Sequence, residues 1–190
     1  ITWNNSTGWA TSAADEVTKA DSLPFKGLTD TGREIIRSMN KWGIMVDVSH
    51  AGEQSFWDIV EVSEKPIIAS HSSAYSLTPS RRNLKDDQLD AIAASGGVVF
   101  VNFYSGFIDS TYNEKYAAYI DRYKTEIDAL SSKYQNAWYG ELENFAKHPK
   151  ETNELRPPLS ALVNHIDYIK NRIGIDHIGL GADFEGAESF

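Results

Sequence analysis

The stretch "GIMVDVSHAGEQSFWDIVEVSEKPIIASH" (43–71) decides the fold class of this chain. Two short apolar runs, at 44–49 and 66–70, enclose a segment at 53–64 with a helical pattern. Short, almost continuously apolar runs rich in β-branched residues are typical of strands buried on both faces, as in a parallel sheet. The stretch therefore predicts a strand–helix–strand unit with parallel strands.

The same alternation continues on both sides of this unit. Further apolar runs predict strands at 97–103 and 177–184, and amphipathic patterns predict helices at 29–43, 86–95 and 159–174. Alternating strands and helices are typical of an α/β fold built from βα units. The regular spacing of the first three strands favours a (β/α)8 barrel of the TIM type, with a doubly wound sheet as the alternative.

The segment 108–158 interrupts this rhythm. It is polar and rich in Tyr, Lys and Glu, which predicts one or two exposed helices. We interpret it as a helical insertion over one end of the barrel, either a lid or a solvated excursion without an active role.

Composition narrows the classes of partner. The 190 residues suit one domain or a large part of one. The formal net charge is −9, from 18 basic and 27 acidic side chains, which argues against nucleic acid as a partner. The absence of cysteine excludes disulfides, thiolate ligands and thiol nucleophiles. No apolar run approaches the ~20 residues of a membrane span, so no membrane segment is expected.

Several polar side chains stand at the carboxyl ends of the predicted strands, where α/β barrels carry their chemistry. They are Asp47 and His50 on the first strand, His71 on the second, Asn102 on the third and Asp183 on the last. Neutral imidazoles at neighbouring strand ends are good ligands for zinc or a similar divalent ion. The alternative is that each histidine is an ordinary hydrogen-bonded core or loop residue.

Charged groups around these strand ends have two interpretations each. Arg81 and Arg82 follow the second strand, where a guanidinium can grip a substrate carboxylate through two hydrogen bonds, unless both are simple surface arginines. Asp183 can bind an ammonium group or move a proton, unless it only caps a helix. The sequence has weaker candidates in His148, His165 and His177. No G-x-S-x-G elbow and no G-x-G-x-x-G helix opening is present.

Four blocks of the chain, in order, resemble one protein family. They are "GLTDTGREIIRSMNKWGIMVDVSH" (27–50), "PIIASHSSAYSLTPSRRNLKDDQL" (66–89), "GGVVFVNFY" (96–104) and "HIDYIKNRIGIDHIGLGADFEG" (165–186). They are similar to the membrane dipeptidase (renal dipeptidase) family, peptidase family M19, a family of zinc metallopeptidases. The resemblance covers nearly the whole chain.

The resemblance implies a (β/α)8 barrel with two zinc ions at its mouth and hydrolysis of small dipeptides. Carried over by motif, His50 and His71 resemble two metal ligands, and Arg82 resembles the arginine that binds the substrate carboxylate. Asp183 resembles the acidic residue that meets the substrate amine and shuttles protons. Dimers are common in the family, so a homodimer is a further implication.

The chain also departs from the family pattern. Across 1–190 it resembles only the later part of the barrel, and neither the family's early His-x-Asp motif nor its bridging glutamate has a counterpart. We therefore expect an incomplete barrel. The family places a histidine in a Leu-Thr-His context where this chain has Trp3 in "ITWNN".

The sequence thus favours a metal-dependent dipeptidase. One alternative is a catalytically degenerate or fragmentary barrel that binds small molecules. Another is a metal-free barrel that acts on phosphorylated small molecules through Arg81 and Arg82.

Overall fold

A computed structural model describes residues 1–184 of the chain. Residues 185–190, among them Gly186 of the last sequence block, lie outside the described part. Within it, four parallel strands form one sheet: β1 (Val46–Asp47), β2 (Ile67–Ser72), β3 (Val98–Val101) and β4 (Ile178–Leu180).

The order of the strands in the sheet is β1-β2-β3-β4, the same as their order along the chain. In a doubly wound sheet the order of the strands reverses at a switch point, whereas neighbouring strands of a barrel are consecutive along the chain. The α/β prediction is confirmed, and the described sheet has the strand order of a barrel.

Three of the four strands, β1, β3 and β4, are shorter than the apolar runs that predicted them, whereas β2 extends two residues beyond its run. The run 44–49 contributes only Val46–Asp47 to the sheet, although the Val48 N–H still donates to the Ile68 carbonyl at 2.8 Å. In β3, alternate residues Val99 and Val101 are fully buried. Apolar residues also lie outside the strands, since Ile44 and Met45 precede β1 and are exposed, so an apolar run overestimates strand length.

Nine α-helices lie in the described part of the chain: α1 (Ala13–Thr18), α2 (Asp30–Trp42), α3 (Glu53–Val62), α4 (Asp86–Ala94), α5 (Ser105–Ile108), α6 (Tyr112–Tyr134), α7 (Ala137–Lys147), α8 (Pro149–Leu155) and α9 (Leu159–Ile173). None of these described helices is both long and apolar enough to cross a membrane. Helix α2 begins after Thr29, whose hydroxyl accepts from the Gly32 N–H at 3.1 Å, and ends at Gly43, which has φ 69°.

The main core lies between the sheet and its helices. Side chains from α2, α3, α4 and α9 pack on the strands, and the largest of those that are fully buried are Ile36, Phe56, Ile59, Leu89, Ile92 and Ile169. Burying an aliphatic or aromatic side chain of this size contributes roughly 1.5–3 kcal/mol. This packing fixes the carboxyl ends of the strands, where the candidate site lies.

The segment 108–158 differs from the expectation of one or two exposed helices. It forms the three helices α6, α7 and α8, which enclose a second apolar cluster of Tyr112, Tyr119, Phe145 and Leu155. The tyrosine rings of this segment pack against other aromatic rings, and the hydroxyls of Tyr116 and Tyr119 donate to Glu141 and Asn144. We call α6–α8 the helical excursion; its role as an insertion over the barrel stays a prediction.

Candidate active site

Three predicted site residues meet at the carboxyl edge of the sheet. The Nε2 atoms of His50 and His71 are 2.9 Å apart, and the His71 Nε2 is 4.0 Å from the Asp183 Oδ2. His50 follows β1, His71 lies near the end of β2, and Asp183 follows β4. Because the carboxyl ends of parallel strands share one edge of a sheet, the fold brings these distant residues together.

Two of these residues have an unusual backbone. His50 has φ 71° and Asp183 has φ 54°, both in the left-handed region that side chains other than glycine rarely adopt. Such conformations cost roughly 1–3 kcal/mol and cluster at functional sites. At His50 the chain turns sharply, since the Ala51 N–H donates to the Val48 carbonyl at 2.9 Å. The turn directs the imidazole towards its neighbour on β2.

Both imidazoles are held in the neutral form. Burial, then the positive charge of Arg82 and the ring of His71, lowers the pKa of His50 to about 3. Burial and Arg82 also lower the pKa of His71, and the carboxylates of Asp183 and Asp47 oppose that effect only in part. At neutral pH each ring therefore has one nitrogen lone pair, as a metal ligand requires.

Asp47 supports the pair from behind. Its Oδ2 accepts from the Ser70 hydroxyl at 2.6 Å, and the same Ser70 oxygen is 2.7 Å from the His71 Nδ1. Burial alone raises the pKa of Asp47, but the hydrogen bonds from Ser70 and Ser49 outweigh it and leave the pKa lowered. Ser70 was not predicted as a site residue, because a serine within an apolar strand carries no distinctive sequence signal.

Arg82 is a buried cation with few partners. Only 7% of the residue is exposed, its Nη2 donates to the His71 carbonyl at 3.4 Å, and its guanidinium lies 5.4 Å from the centre of the Phe107 ring. Burial lowers its pKa to about 10, against the opposing effect of Asp183 and Asp47. Within residues 1–184, the ion pairs made by arginines involve only Arg33, Arg37 and Arg172. A buried charge without a counterion is costly, so an incoming anion is favoured here.

A cleft of about 380 Å³ opens in front of these groups. Its walls come from the N-terminal segment, the chain after each of the four strands, and the helical excursion. The lining residues are Trp3, Asn4, His50, Ser80, Arg81, Arg82, Tyr104, Gly106, Phe107, Asn113, Trp138 and Asp183. The volume is at the lower end of the range for small-ligand pockets.

Sequence reasoning missed the part of the cleft wall that comes from the helical excursion. Asn113 lies on α6 and Trp138 on α7, and both line the cleft. No local pattern marks them, because only tertiary packing brings these helices to the strand ends. Trp3, where the family pattern has histidine, has its ring centre 6.5 Å from that of His50.

The other predicted polar residues have partners of their own. Asn102 is fully buried and its Oδ1 accepts from the Tyr104 N–H. The His165 Nδ1 accepts a hydrogen bond from the backbone N–H of Ala74 at 3.0 Å. His148 contacts a glutamate of α6 at 2.9 Å, and the His177 Nδ1 donates to a backbone carbonyl at 2.8 Å. These contacts support structural roles.

A metal ion fits the histidine pair in part. Both rings are neutral and their Nε2 atoms point at each other across 2.9 Å. The Nδ1 of His50 is buried and has no hydrogen-bond partner in the described part of the chain. Within residues 1–184 no group of three or more His, Asp or Glu side chains is arranged to hold a metal. Catalytic zinc takes three protein ligands, so the described residues supply a pair of ligands rather than a complete set.

The strand order and the polar cluster at the strand ends define an α/β protein of the barrel type with a hydrolase-like cleft. The chain belongs to the membrane dipeptidase family (peptidase family M19), whose sequence model matches residues 1–190. The family predicted from the four sequence blocks is thereby confirmed.

Curated relatives agree with this assignment. An uncharacterized dipeptidase of Schizosaccharomyces pombe is 33% identical over 186 residues, which is 98% of this chain and 34% of the relative. A dipeptidase of Claviceps purpurea is 31% identical over 163 residues, covering 86% of this chain and 28% of that protein. An uncharacterized Klebsiella pneumoniae protein is 34% identical over 84% of this chain and 45% of its own length. The chain thus spans less than half the length of each of these relatives.

Solved structures show the same fold. A metallopeptidase of Rhodobacter sphaeroides, crystallised with a phosphinate mimic of the dipeptide L-Ala-D-Ala, aligns with a TM-score of 0.60 at 30% identity. The alignment covers 86% of this chain and 35% of that one. A probable dipeptidase of Pseudomonas aeruginosa aligns with a TM-score of 0.67 over 96% of this chain and 49% of its own, and at 22% identity it supports the fold alone.

Proposed function

We propose that this chain forms the substrate-binding side, and part of the metal-binding side, of a metal-dependent dipeptidase. The observation that carries the proposal is the buried Arg82, which faces the cleft beside two neutral imidazoles without a carboxylate partner among residues 1–184. A free dipeptide supplies the missing anion through its terminal carboxylate. Arg82 therefore anchors the substrate and fixes the position of the amide bond to be broken.

Asp183 binds the positively charged end of the dipeptide in this proposal. Its carboxylate lies 4.0 Å from the His71 Nε2 and lines the same cleft as Arg82. It binds the ammonium group of the dipeptide and accepts or returns a proton at a carboxylate oxygen during cleavage. The cleft thus contains both a cation, Arg82, and an anion, Asp183, which match the two charged groups of a dipeptide.

His50 and His71 hold a divalent ion, for which we propose zinc, through their Nε2 atoms. When bound, such an ion polarises the amide carbonyl and lowers the pKa of a water molecule. The low pKa values of both histidines keep the rings ready for this role, because neither must lose a proton at neutral pH.

The relative from Rhodobacter sphaeroides supports the choice of substrate, since that protein was crystallised with a mimic of L-Ala-D-Ala. We propose dipeptides with small side chains as substrates, L-Ala-D-Ala among them. The cleft of about 380 Å³ has room for a molecule of this size.

A kinetic experiment tests the role of Arg82. We expect Arg82→Ala to raise the KM for L-Ala-D-Ala about 100-fold, because truncating one partner of a buried charged pair costs 2–5 kcal/mol. The matched control is Arg81→Ala on the exposed neighbour, which should change KM little. The wild type should also prefer the dipeptide over its C-terminal amide. Equal cleavage of dipeptide and amide by the wild type would disprove the anchoring role.

A second candidate is a binding module without turnover. It is favoured by Trp3, which stands where the family pattern has a histidine and can offer only an N–H donor or an apolar wall. This candidate predicts tight dipeptide binding, measured by calorimetry, with no hydrolysis after zinc is added. Hydrolysis that depends on His71 excludes it.

A further inference from the structure

A chain of hydrogen bonds runs behind the cleft from Asp47 through Ser70 to the ring of His71. We infer that Asp47, acting through the hydroxyl of Ser70, decides which ring nitrogen of His71 carries the hydrogen, and so keeps Nε2 free for a metal ion. Asp47 and Ser70 are positioning residues in this scheme. The inference rests on the proposed metal-binding role of His71.

The Asp47 carboxylate sets the donor and acceptor roles in these hydrogen bonds. Asp47 Oδ1 accepts from the backbone N–H groups of Ser49 and Ser70, each at 3.0 Å. Its Oδ2 lies 2.6 Å from the Ser70 hydroxyl. An ionised carboxylate only accepts hydrogen bonds, so the hydrogen of the Ser70 hydroxyl must point at Asp47.

Two uncharged acceptors compete for that hydrogen: the Ser49 hydroxyl and, when it carries no hydrogen of its own, the His71 Nδ1 at 2.7 Å. The Ser49 hydroxyl oxygen is 3.4 Å from the Ser70 oxygen, which is longer than an ordinary O–H···O bond, and it has no charge. If the Ser70 hydrogen pointed elsewhere, two oxygen atoms with only lone pairs between them would face each other across 2.6 Å. The charged, shorter bond to Asp47 is therefore the stable arrangement.

The state of His71 follows from this assignment. The Ser70 oxygen is 2.7 Å from the His71 Nδ1 and has only lone pairs left to offer. The bond is made only if Nδ1 carries the hydrogen, and a neutral ring has a single N–H. The lone pair of His71 is then on Nε2, the nitrogen that faces His50 and the cleft.

His50 differs from His71 in having no such support. Its Nδ1 is buried and has no hydrogen-bond partner within residues 1–184. Its Nε2 lies 2.9 Å from the Nε2 of His71. Because the His71 Nε2 carries no hydrogen, the His50 Nε2–H donates to it in the metal-free protein. The two histidines therefore adopt opposite tautomers, one fixed by Asp47 and one free to change when metal binds.

The fixed tautomer matters for affinity. A ring that carried its hydrogen on Nε2 would have to exchange it before it could bind a metal. Loss of the hydrogen-bond partner behind a ligating histidine typically weakens metal binding 10–100-fold. Since Asp47 is on β1 and both Ser70 and His71 are on β2, the register of the two strands sets this support.

The tautomers are directly measurable. Protein with 15N-labelled histidine is purified metal-free, and long-range 1H–15N correlation spectra at neutral pH report which nitrogen is protonated. We expect Nδ1–H on His71 and Nε2–H on His50. In Asp47→Asn, the new amide oxygen keeps the two backbone N–H donors and its NH2 group faces Ser70. The Ser70 hydrogen then turns to the His71 Nδ1, and the ring hydrogen moves to Nε2.

Zinc affinity gives the second measurement, by titration of Zn²⁺ against a competing chelator. We expect Asp47→Asn to weaken binding about 10–100-fold. The matched control is Ser49→Ala, which removes a neighbouring hydroxyl that accepts from the backbone N–H of His71 at 3.0 Å but does not touch its ring. It should keep the wild-type tautomer. Ser70→Thr, which keeps a hydroxyl, should resemble the wild type, and Ser70→Ala should resemble Asp47→Asn in affinity.

Each outcome has a definite meaning. A His71 ring protonated at Nε2 in the wild type overturns the inference, and so does an Asp47→Asn protein with unchanged tautomer and zinc affinity. If the tautomers reverse as expected but the wild type binds no Zn²⁺, the hydrogen-bond inference stands and the proposed metal site fails. If circular dichroism shows that Asp47→Asn does not fold, the comparison of Ser70→Ala with Ser70→Thr decides.

Discussion

At the scale of single residues, glycine permits the closest approach between strand ends. A Cβ atom placed on Gly181 would lie 1.9 Å from the Ser70 carbonyl oxygen and 2.7 Å from the Cβ of Phe100. The first of these neighbours is backbone and cannot rotate away. Gly181 therefore allows the chain that follows β4 to pass close to the Ser70 carbonyl of β2, two residues before Asp183.

This geometry predicts the effect of Gly181→Ala. The added methyl group must push residue 181 away from the Ser70 carbonyl, and overpacking of this kind typically destabilises a protein by about 1–3 kcal/mol. Urea denaturation followed by fluorescence measures the change. Gly8→Ala is the control, since a Cβ there meets nothing within 4 Å. Equal unfolding midpoints for the two variants would contradict the prediction.

The residues of the site differ in how far the sequence predicts them. His50 and His71 are predictable as neighbours because strand ends of a parallel sheet meet, whatever the details of packing. Their roles, and those of Arg82 and Asp183, stay predictions. Ser70 is not predictable, because its importance depends on the register that places Asp47 beside it.

At the scale of elements, the helical excursion depends on a buried polar pair. The hydroxyl of Tyr119 on α6 donates to the Asn144 Oδ1 on α7 at 2.7 Å, and Asn144 is fully buried. In Tyr119→Phe the amide oxygen loses this partner while the aromatic packing remains. An unsatisfied buried polar group costs about 1–3 kcal/mol, which is the loss we expect.

Thermal unfolding of Tyr119→Phe, read by far-ultraviolet circular dichroism, measures that loss. Tyr139→Phe on α7 is the matched control, because 56% of Tyr139 is exposed. We expect the control to unfold at the wild-type temperature. A Tyr119→Phe protein as stable as this control would show that the pair between α6 and α7 contributes nothing.

Helices were predictable from the sequence where their apolar residues form one clear face of the helix. Helices α2, α3, α4 and α9 fall within the predicted segments because their apolar residues recur at helical spacing and pack on the sheet. The short α1 was missed, since it depends on its Ser12 cap and on contacts made only in the folded chain. The cluster inside the helical excursion was missed because its aromatic residues are spread among many Lys and Glu residues and form no continuous apolar run.

At the scale of the whole molecule, several groups titrate below their ordinary range. The hydrogen bond from Lys19, followed by those from Ser6, lowers the pKa of Asp15 to about 2. Burial lowers the pKa of His165. In both cases the unfolded chain binds protons more readily than the folded one, so acid favours unfolding.

We therefore expect the melting temperature to fall steadily as the pH is lowered from 7 to 3. The contribution of His165 begins to disappear near its unfolded pKa of about 6.5, and that of Asp15 below about 4. Scanning calorimetry at several pH values measures the trend. The Asp15→Asn protein should be less stable than the wild type at pH 6, and the difference should vanish near pH 2. A constant difference across this range would exclude Asp15 as a source of acid sensitivity.

The strand order is the part of the global fold that the sequence predicts best, because βα alternation and short connections restrict the arrangements that a chain can adopt. The walls of the cleft are predicted least. They bring together the N-terminal segment, the loops after β2 and β3, and the helical excursion, and no local sequence pattern predicts these contacts.

The two apolar clusters of this molecule share no residue. Mutations that repack Tyr112, Tyr119, Phe145 or Leu155 can accumulate without altering the side chains that cover the sheet. Evolution can therefore remodel the wall that carries Trp138 while the strand ends stay under separate constraint. In a lineage of such proteins, new substrate preferences would arise by divergence within α6–α8, at little risk to the scaffold that bears His50 and His71.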